Sequence, residues 1–342
     1  MVAAQPATVL TGADGWLGQN LVRALVRDPA RPRIRCLVRD AGDAARVALL
    51  DRRIEVVGGD VRDPVVIDRL FDGLGPVSVF HAAAVIHPRR HVRECFDVNV
   101  GGTQLVLDRA RRVGARRFVY FSSNSPFGAN RLPRERFEEE SPYAPYLAYG
   151  QSKLEAEQIV QRAGARGDLA TVILRPPWFY GPFQPARQTQ FFRAVRRGRF
   201  PLVGSGEQQR SMVYTENLVD AALLAEQADA AVGQAFWIAD AEPYPLVEII
   251  RTVREALSAE AFEVGGRQLR VPRLAGTFAE QLDRVVQATG RYVQPLHVLG
   301  ELKDTIACDI TKARKELGYE PKVALYDGMR ASIQWCKREG LL

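Results

Sequence analysis

The feature that most constrains this chain is the rhythm of its first half. Short apolar runs alternate there with stretches of helical period: Thr8 to Thr11 then Leu17 to Arg27, Ile34 to Val38, Ile54 to Val57 then Val65 to Phe71, and Val77 to Phe80 then Cys95 to Val113. The same beat continues with Phe118 to Phe121 then Tyr149 to Ala163, and with Thr171 to Leu174. Strands that alternate with helices build βαβ units, a parallel sheet covered on both faces. Right-handed crossovers then give an α/β, doubly wound parallel sheet whose ligands sit at the carboxyl ends of the strands.

The rhythm stops after Arg175. Pro176 to Pro182 and Gln184-Pro185 are too rich in proline and aromatic residues to continue the sheet. A smaller C-terminal substrate-binding lobe is therefore expected, from 176–210 and 242–342, beside a nucleotide-binding domain of 1–175. Glu216 to Glu226 and Phe236 to Ile238 read as one more helix and strand, so 211–241 is expected to complete the first domain. Arg131 to Pro142, dense in Arg, Glu and Pro, reads as a surface loop.

Glycines 12, 15 and 18 of Thr11-Gly-Ala-Asp-Gly-Trp-Leu-Gly18 fall between the first strand and the helix after it. Glycine allows a tight turn there and lets backbone N–H groups approach a pyrophosphate at the positive end of a helix. The spacing is G-x-x-G-x-x-G rather than G-x-G-x-x-G, so position carries the reading. The second strand ends in Arg39-Asp40, where an arginine suits the extra phosphate of NADP and a carboxylate the free ribose of NAD. NADP is the expected cofactor, with NAD as the alternative should Arg39 pack over adenine. Asp60 ends the third strand, placed to accept from an adenine amine, and Asp63 is the natural cap of the next helix.

Charge asks a different question. The chain carries 47 basic and 40 acidic residues, net +7, yet its arginines are spread along helical stretches such as 109–117 and 193–199, which reads as solvated faces rather than a nucleic-acid footprint. Four scattered cysteines without a C-x-x-C pair, and four histidines without H-E-x-x-H, suggest neither a disulfide framework nor a zinc site. With no long apolar run and no signal-like start, a cytoplasmic location without a membrane span is expected.

One count is more informative: only six of the basic residues are lysines, and Lys153 is the single lysine among the first 302 residues. An ammonium is a compact point charge and a guanidinium is not, so Lys153 invites a chemical reason. It stands four residues after Tyr149, on one face of a helix. A phenol of pKa about 10 is a poor acid or base at neutral pH, and an adjacent cation favours its phenolate.

With T-G-x-x-G-x-x-G and Y-x-x-x-K in place, the chain resembles the extended short-chain dehydrogenase/reductase family, the NAD(P)-dependent epimerase/dehydratase type with a Rossmann-type fold. His81 to Ala84, Asn99 to Thr103, Phe121-Ser-Ser123, Arg175-Pro176, Tyr180 to Pro182 and Leu317 to Pro321 extend the likeness along nearly the whole chain. The resemblance implies hydride transfer at a secondary alcohol or ketone, with Ser123, Tyr149 and Lys153 catalytic. Tyr149 would exchange the proton, Ser123 would hydrogen-bond the reacting oxygen, and Lys153 would also hold the nicotinamide ribose. Ser122 would be structural. The cofactor is expected against Gly12, Gly15, Trp16, Leu17, Gly18, Arg39, Asp60, Val61, Ala82, Ala83, Asn99, Lys153 and Pro176, and the substrate against Asn124, Ser125, Tyr180 and Arg210. A homodimer is the expected assembly. Asn124-Ser125-Pro126 after Ser123 departs from the S-T-D-E of the family's dehydratases, which argues against a 4,6-dehydratase.

Two substrate classes compete. Gly204 to Tyr214 resembles the segment by which nucleotide-sugar enzymes bring an arginine, here Arg210, to a diphosphate. Phe191 to Leu202, Glu216-Asn217 and Ala235 to Asp240 are similar instead to the 3β-hydroxysteroid dehydrogenase branch. Arg210 makes a nucleotide sugar the expected substrate and a hydrophobic alcohol the alternative. A non-catalytic NADP-sensing protein on the same fold would have lost the tyrosine or the lysine, and both are present.

Overall fold

The computed structural model describes residues 6–89 and 91–342. Seven parallel strands form the central sheet: β1 (Ala7–Thr11), β2 (Ile34–Val38), β3 (Ile54–Gly58), β4 (Val77–His81), β5 (Arg117–Phe121), β6 (Thr171–Arg175) and, after a long excursion, β11 (Ala235–Trp237). Their spatial order is β3-β2-β1-β4-β5-β6-β11, so the winding direction reverses between β1 and β4. Ligands of open α/β sheets bind at that switch point. The strands read as continuous apolar runs because most are buried on both faces; β2, β4, β5 and β6 are buried at every position.

The covering helices of this domain are α1 (Trp16–Arg27), α2 (Ala41–Ala48), α3 (Pro64–Phe71), α4 (Arg93–Phe96), α5 (Thr103–Arg112) and α6 (Leu147–Ala165). Asp40 and Asp63 cap α2 and α3, accepting backbone N–H bonds from Gly42 and Val65 at 2.8 and 2.9 Å. The stretch expected as one helix over 95–113 is continuous but runs as a π-helix over Asp97–Gly102, a wider turn of the kind found at functional sites.

The chain then leaves the sheet through β7 (Trp178–Tyr180), α7 (Ala186–Arg196), β8 (Leu202–Val203), β9 (Gln209–Arg210) and β10 (Met212–Tyr214), and returns by α8 (Thr215–Gln227) to β11. The remainder is β12 (Tyr244–Pro245), α9 (Leu246–Ala259), β13 (Arg270–Val271), α10 (Arg273–Ala288), α11 (Gln294–Glu301) and α12 (Leu325–Arg338). Its core packs Phe191, Phe192 and Val195 of α7 with Leu246, Ile249 and Val253 of α9 and Met329 and Ile333 of α12. The run 131–142 is only partly a surface loop. Phe137 is buried and donates its N–H to Ala307 O at 2.8 Å, and the Glu139 carboxylate accepts from Trp237 N at 3.0 Å. Aromatic and backbone partners from distant segments, invisible in the local composition, hold it down.

Candidate active site

The turn after β1 is built by exclusion. Gly12 has φ +72°, and a Cβ on it would stand 2.8 Å from Ala83 N in the loop after β4; a Cβ on Gly18 would overlap Gly12 O. The two switch-point loops and the start of α1 are thus in backbone contact. Gly15, the N-cap of α1, offers no side chain to the first-turn N–H groups, which stay open for an anion. These residues fit a dinucleotide. Leu17 is buried, so only its backbone faces that site, while the Trp16 indole reaches across to Pro182 O at 2.9 Å.

At the end of β2, Asp40 is occupied as a helix cap, and the exposed Arg39 makes no side-chain ion pair among the described residues. Asp60 is gripped by Arg62 at 2.7 and 2.9 Å, which holds its carboxyl below the usual range, and Val61 packs under Gly102. Asn99 departs from expectation. It is fully buried on the π-helix, and its amide bridges Val85, through both backbone groups at 2.7 and 3.0 Å, and Ser152 Oγ at 2.9 Å. Its side-chain amide is thus engaged inside the protein, where it ties the loop after β4 to α6.

A Cβ on Gly150 would stand 2.5 Å from Ser125 O, and Tyr146 N bonds to the same oxygen at 2.9 Å, so α6 begins pressed against the loop leaving β5. That contact sets Tyr149 beside Ser123, whose Oγ accepts from Ser125 N at 3.2 Å. Lys153 is almost fully buried: its Nζ donates to Phe121 O at 2.6 Å and lies 4.3 Å from the centre of the Tyr120 ring. A narrow stem and a single nitrogen fit this slot where a guanidinium would not. Behind them, the buried Glu157 accepts from Ser122 at 2.5 Å, Tyr143 at 2.8 Å and Arg175 at 2.6 Å, while Ser122 also borders the cavity.

The charges differ from the simple expectation. Burial pushes the Tyr149 phenol up to about 12, against the opposing pull of the Ser123 hydroxyl and the Arg187 guanidinium. Burial also pushes Lys153 down to about 7, opposed by Glu157. Desolvation penalises both charged forms and outweighs the opposing pulls on each.

Ser123, Asn124, Ser125, Tyr149 and Pro176 line one cavity of about 390 Å³ between the domain and the lobe. Its far wall was not legible in the sequence: Trp178, Phe179, Phe191, Phe200, Val298 and Ile306 form an apolar surface. Arg187, His87 and His297 also face the cavity. Burial pulls Arg187 down, and burial aided by Arg187 takes His87 down to about 3. In a chain with 41 arginines nothing local marks Arg187, and only the first turn of α7 brings it to the site.

Two expected substrate residues change role. Tyr180 is wholly buried, its hydroxyl donating to Asp240 at 2.7 Å, and it does not line the cavity; it is part of the lobe's core. Arg210 does line the cavity, but it is buried and held by Glu301, through the backbone carbonyl at 2.7 Å and the carboxylate at 3.6 Å. β9 pairs with β12, and this turns the side chain along α11.

A doubly wound sheet with a glycine-built turn at its switch point and a Tyr-x-x-x-Lys helix beside it defines a dinucleotide-dependent oxidoreductase of the short-chain dehydrogenase type. The chain belongs to the NAD dependent epimerase/dehydratase family, whose profile matches residues 8–239. It is 41% identical over 345 residues, 98% of this chain and 96% of the relative, to an uncharacterized protein, y4nL, of Sinorhizobium fredii. It is 30% identical, over 96% of each chain, to a 4-hydroxy-2-methyl-3-oxo-4-farnesyl-3,4-dihydroquinoline-1-oxide ketoreductase of Stigmatella aurantiaca. Among solved structures, UDP-glucuronic acid 4-epimerase from Bacillus cereus in complex with NAD superimposes with a TM-score of 0.76 at 20% identity, covering 97% of this chain and 99% of that one. At that identity the likeness is one of fold.

Proposed function

We propose that the protein interconverts a secondary alcohol and a ketone on a largely apolar substrate, with NADP as the preferred cofactor. The observation that carries the substrate class is the cavity wall facing Tyr149: aromatic and aliphatic side chains dominate it, and Arg210, the residue expected to meet a diphosphate, is already engaged by Glu301. The ketoreductase relative, whose named substrate bears a farnesyl chain, supports this direction. Arg39, left unpaired while Asp40 caps α2, supports NADP.

The bound nicotinamide would supply the hydride donor or acceptor. The residues of this chain do the rest. Ser123 and Tyr149 hydrogen-bond the substrate oxygen from one side of the cavity, and a phenol held near 12 stays protonated at neutral pH, ready to donate as a ketone oxygen gains charge. Lys153, fixed on Phe121 O, is placed to hold the ribose and to favour the phenolate left behind. The apolar wall excludes water and positions the substrate.

A nucleotide sugar is the second reading, favoured by one observation: Arg210 Nε is buried without a hydrogen-bond partner, so part of the guanidinium is unspent. Titrating UDP and dTDP, then medium-chain and polycyclic ketones, into the NADP-saturated protein separates the two. The proposal expects heat only from the ketones; micromolar binding of a free nucleotide at the cavity would replace it with the sugar reading.

A further inference from the structure

Helix α10 is amphipathic in the inverted sense. The face turned into the protein carries Gly276, Ala279, Asp283 and Gln287, with Asp283 fully buried against His297 Nδ1 at 2.9 Å and bonded by Gln287. The face turned to solvent carries Leu274, Phe278, Leu282 and Val285, exposed by 81, 71, 39 and 63%, with Leu269 and Val293 extending it at either end. A surface helix of a soluble protein hides such a stripe. Between Leu274 and Val285 the exposed charge is that of Arg284, which Glu280 pairs at 2.6 Å.

Exposed arginines gather around the stripe, with the exposed Glu263 beside two of them. Arg267 and Arg270 precede the helix, Arg273 is its first residue, Arg291 follows it, and Arg197 and Arg199 flank Gly198, whose carbonyl accepts from Leu269 N at 2.8 Å. All six are exposed and none has a carboxylate partner among the described residues. The nearest acids of the helix are spent inward, Glu280 on Lys303 and Arg284 and Asp283 on His297.

We infer that this face of α10 docks the protein on an anionic lipid surface. An apolar ridge with an arginine collar is the chemistry of an interfacial helix, whose apolar residues enter the acyl boundary while cations meet the headgroups. No helix among the described residues is long and apolar enough to cross a membrane, so α10 lies on the surface. Two copies meeting face to face across this ridge would oppose collar to collar, which like charge disfavours.

The position has a use, given the apolar substrate proposed above. α10 packs on α11 so closely that a Cβ on Gly300 would stand 3.0 Å from Glu280 Cα. α11 in turn lines the cavity with Gln294, His297, Val298 and Glu301. One helix hairpin therefore presents the apolar ridge outside and the cavity wall inside.

Flotation of the full chain with phosphatidylglycerol/phosphatidylcholine vesicles, and with phosphatidylcholine alone, tests this without any substrate. Anionic vesicles should carry the protein, neutral ones about tenfold less, and raising salt from about 0.1 to 0.5 M should weaken the binding. Leu274→Ser/Phe278→Ser should reduce binding at least about tenfold while solution turnover and melting temperature stay near wild type. Arg270→Glu/Arg273→Glu should do the same through the collar. Failure to float with anionic vesicles, or equal flotation of the serine variant, overturns the inference. A wild-type dimer that the serine variant splits into monomers in light scattering overturns it too, and assigns the face to self-association. Vesicle binding without turnover of any apolar ketone would leave the docking surface standing and remove the substrate reading.

Discussion

The two walls of the cavity are held in opposite ways. On the sheet side, Ser123, Tyr149 and Lys153 are fixed by short contacts to backbone, at Ser125 N, along Gly150 and at Phe121 O, over a buried Glu157–Arg175 pair. On the lobe side, Trp178, Phe191 and Val298 present apolar surface, and the cations Arg187 and Arg210 stand on different elements, only the second of them paired among the described residues. Chemistry needs atoms fixed to within a fraction of an ångström, whereas selection of an apolar body needs volume and surface. Substitutions on the first wall should therefore alter turnover, and those on the second should alter which substrate is accepted.

The largest effect should come from removing the proton. Tyr149→Phe keeps the ring and loses the hydroxyl, so turnover should fall by about 100-fold or more while NADP affinity, read by titration, barely moves. Unchanged turnover would detach the sheet-side wall from the chemistry. Lys153→Arg should cost about tenfold or more, because the slot between Phe121 O and the Tyr120 ring fits one nitrogen. An arginine variant with wild-type kinetics would show that charge alone is required there.

Arg39→Asp acts beyond both walls. A charge-assisted phosphate contact is worth about 1.5–3 kcal/mol, so the ratio of NADP to NAD affinity should drop by about tenfold or more. An unchanged ratio would mean that Arg39 does not meet the ribose phosphate. The remaining effect is one of pH, read as stability rather than as turnover or affinity. Lys153 is lowered to about 7 in the folded chain from an ordinary 10.5, so between those values the unfolded chain binds more protons and stability rises with pH. The cost of burying Lys153 is greatest at and below pH 7. Lys153→Met should gain stability relative to wild type at pH 6 and lose that gain toward pH 10, as followed by denaturant unfolding. A difference that does not vary with pH would contradict the lowered value.

The contrast between the walls also explains what the sequence disclosed. Strand–helix alternation, glycines at 12, 15 and 18, and a lone lysine four residues after a tyrosine are local patterns, each tied to one turn of backbone or one helix face. The doubly wound parallel sheet and the Tyr149–Lys153 pair follow from them, whereas Ser123 came only with the family resemblance. The lobe is assembled from two-residue strands paired across long separations, as Arg210 is with Tyr244 and with Ile306, so no window shows where its side chains end up. Arg210 was legible as an arginine near the cavity but not as a partner of Glu301. Tyr180, one residue before Gly181-Pro182, gave no sign that its hydroxyl belongs to Asp240, and Arg187 was hidden among similar residues.

The central claim, that a fixed proton-transfer wall faces an apolar selecting wall, is tested most directly by kcat/KM across ketones lengthened one methylene at a time. Burial of a methylene is worth about 0.8 kcal/mol, so each should raise kcat/KM about fourfold until the cavity is full. Trp178→Ala/Phe191→Ala should flatten that slope while turnover of the shortest ketone is kept. A slope near zero in the wild type, or a preference for ketones carrying a nucleoside diphosphate, would contradict the account.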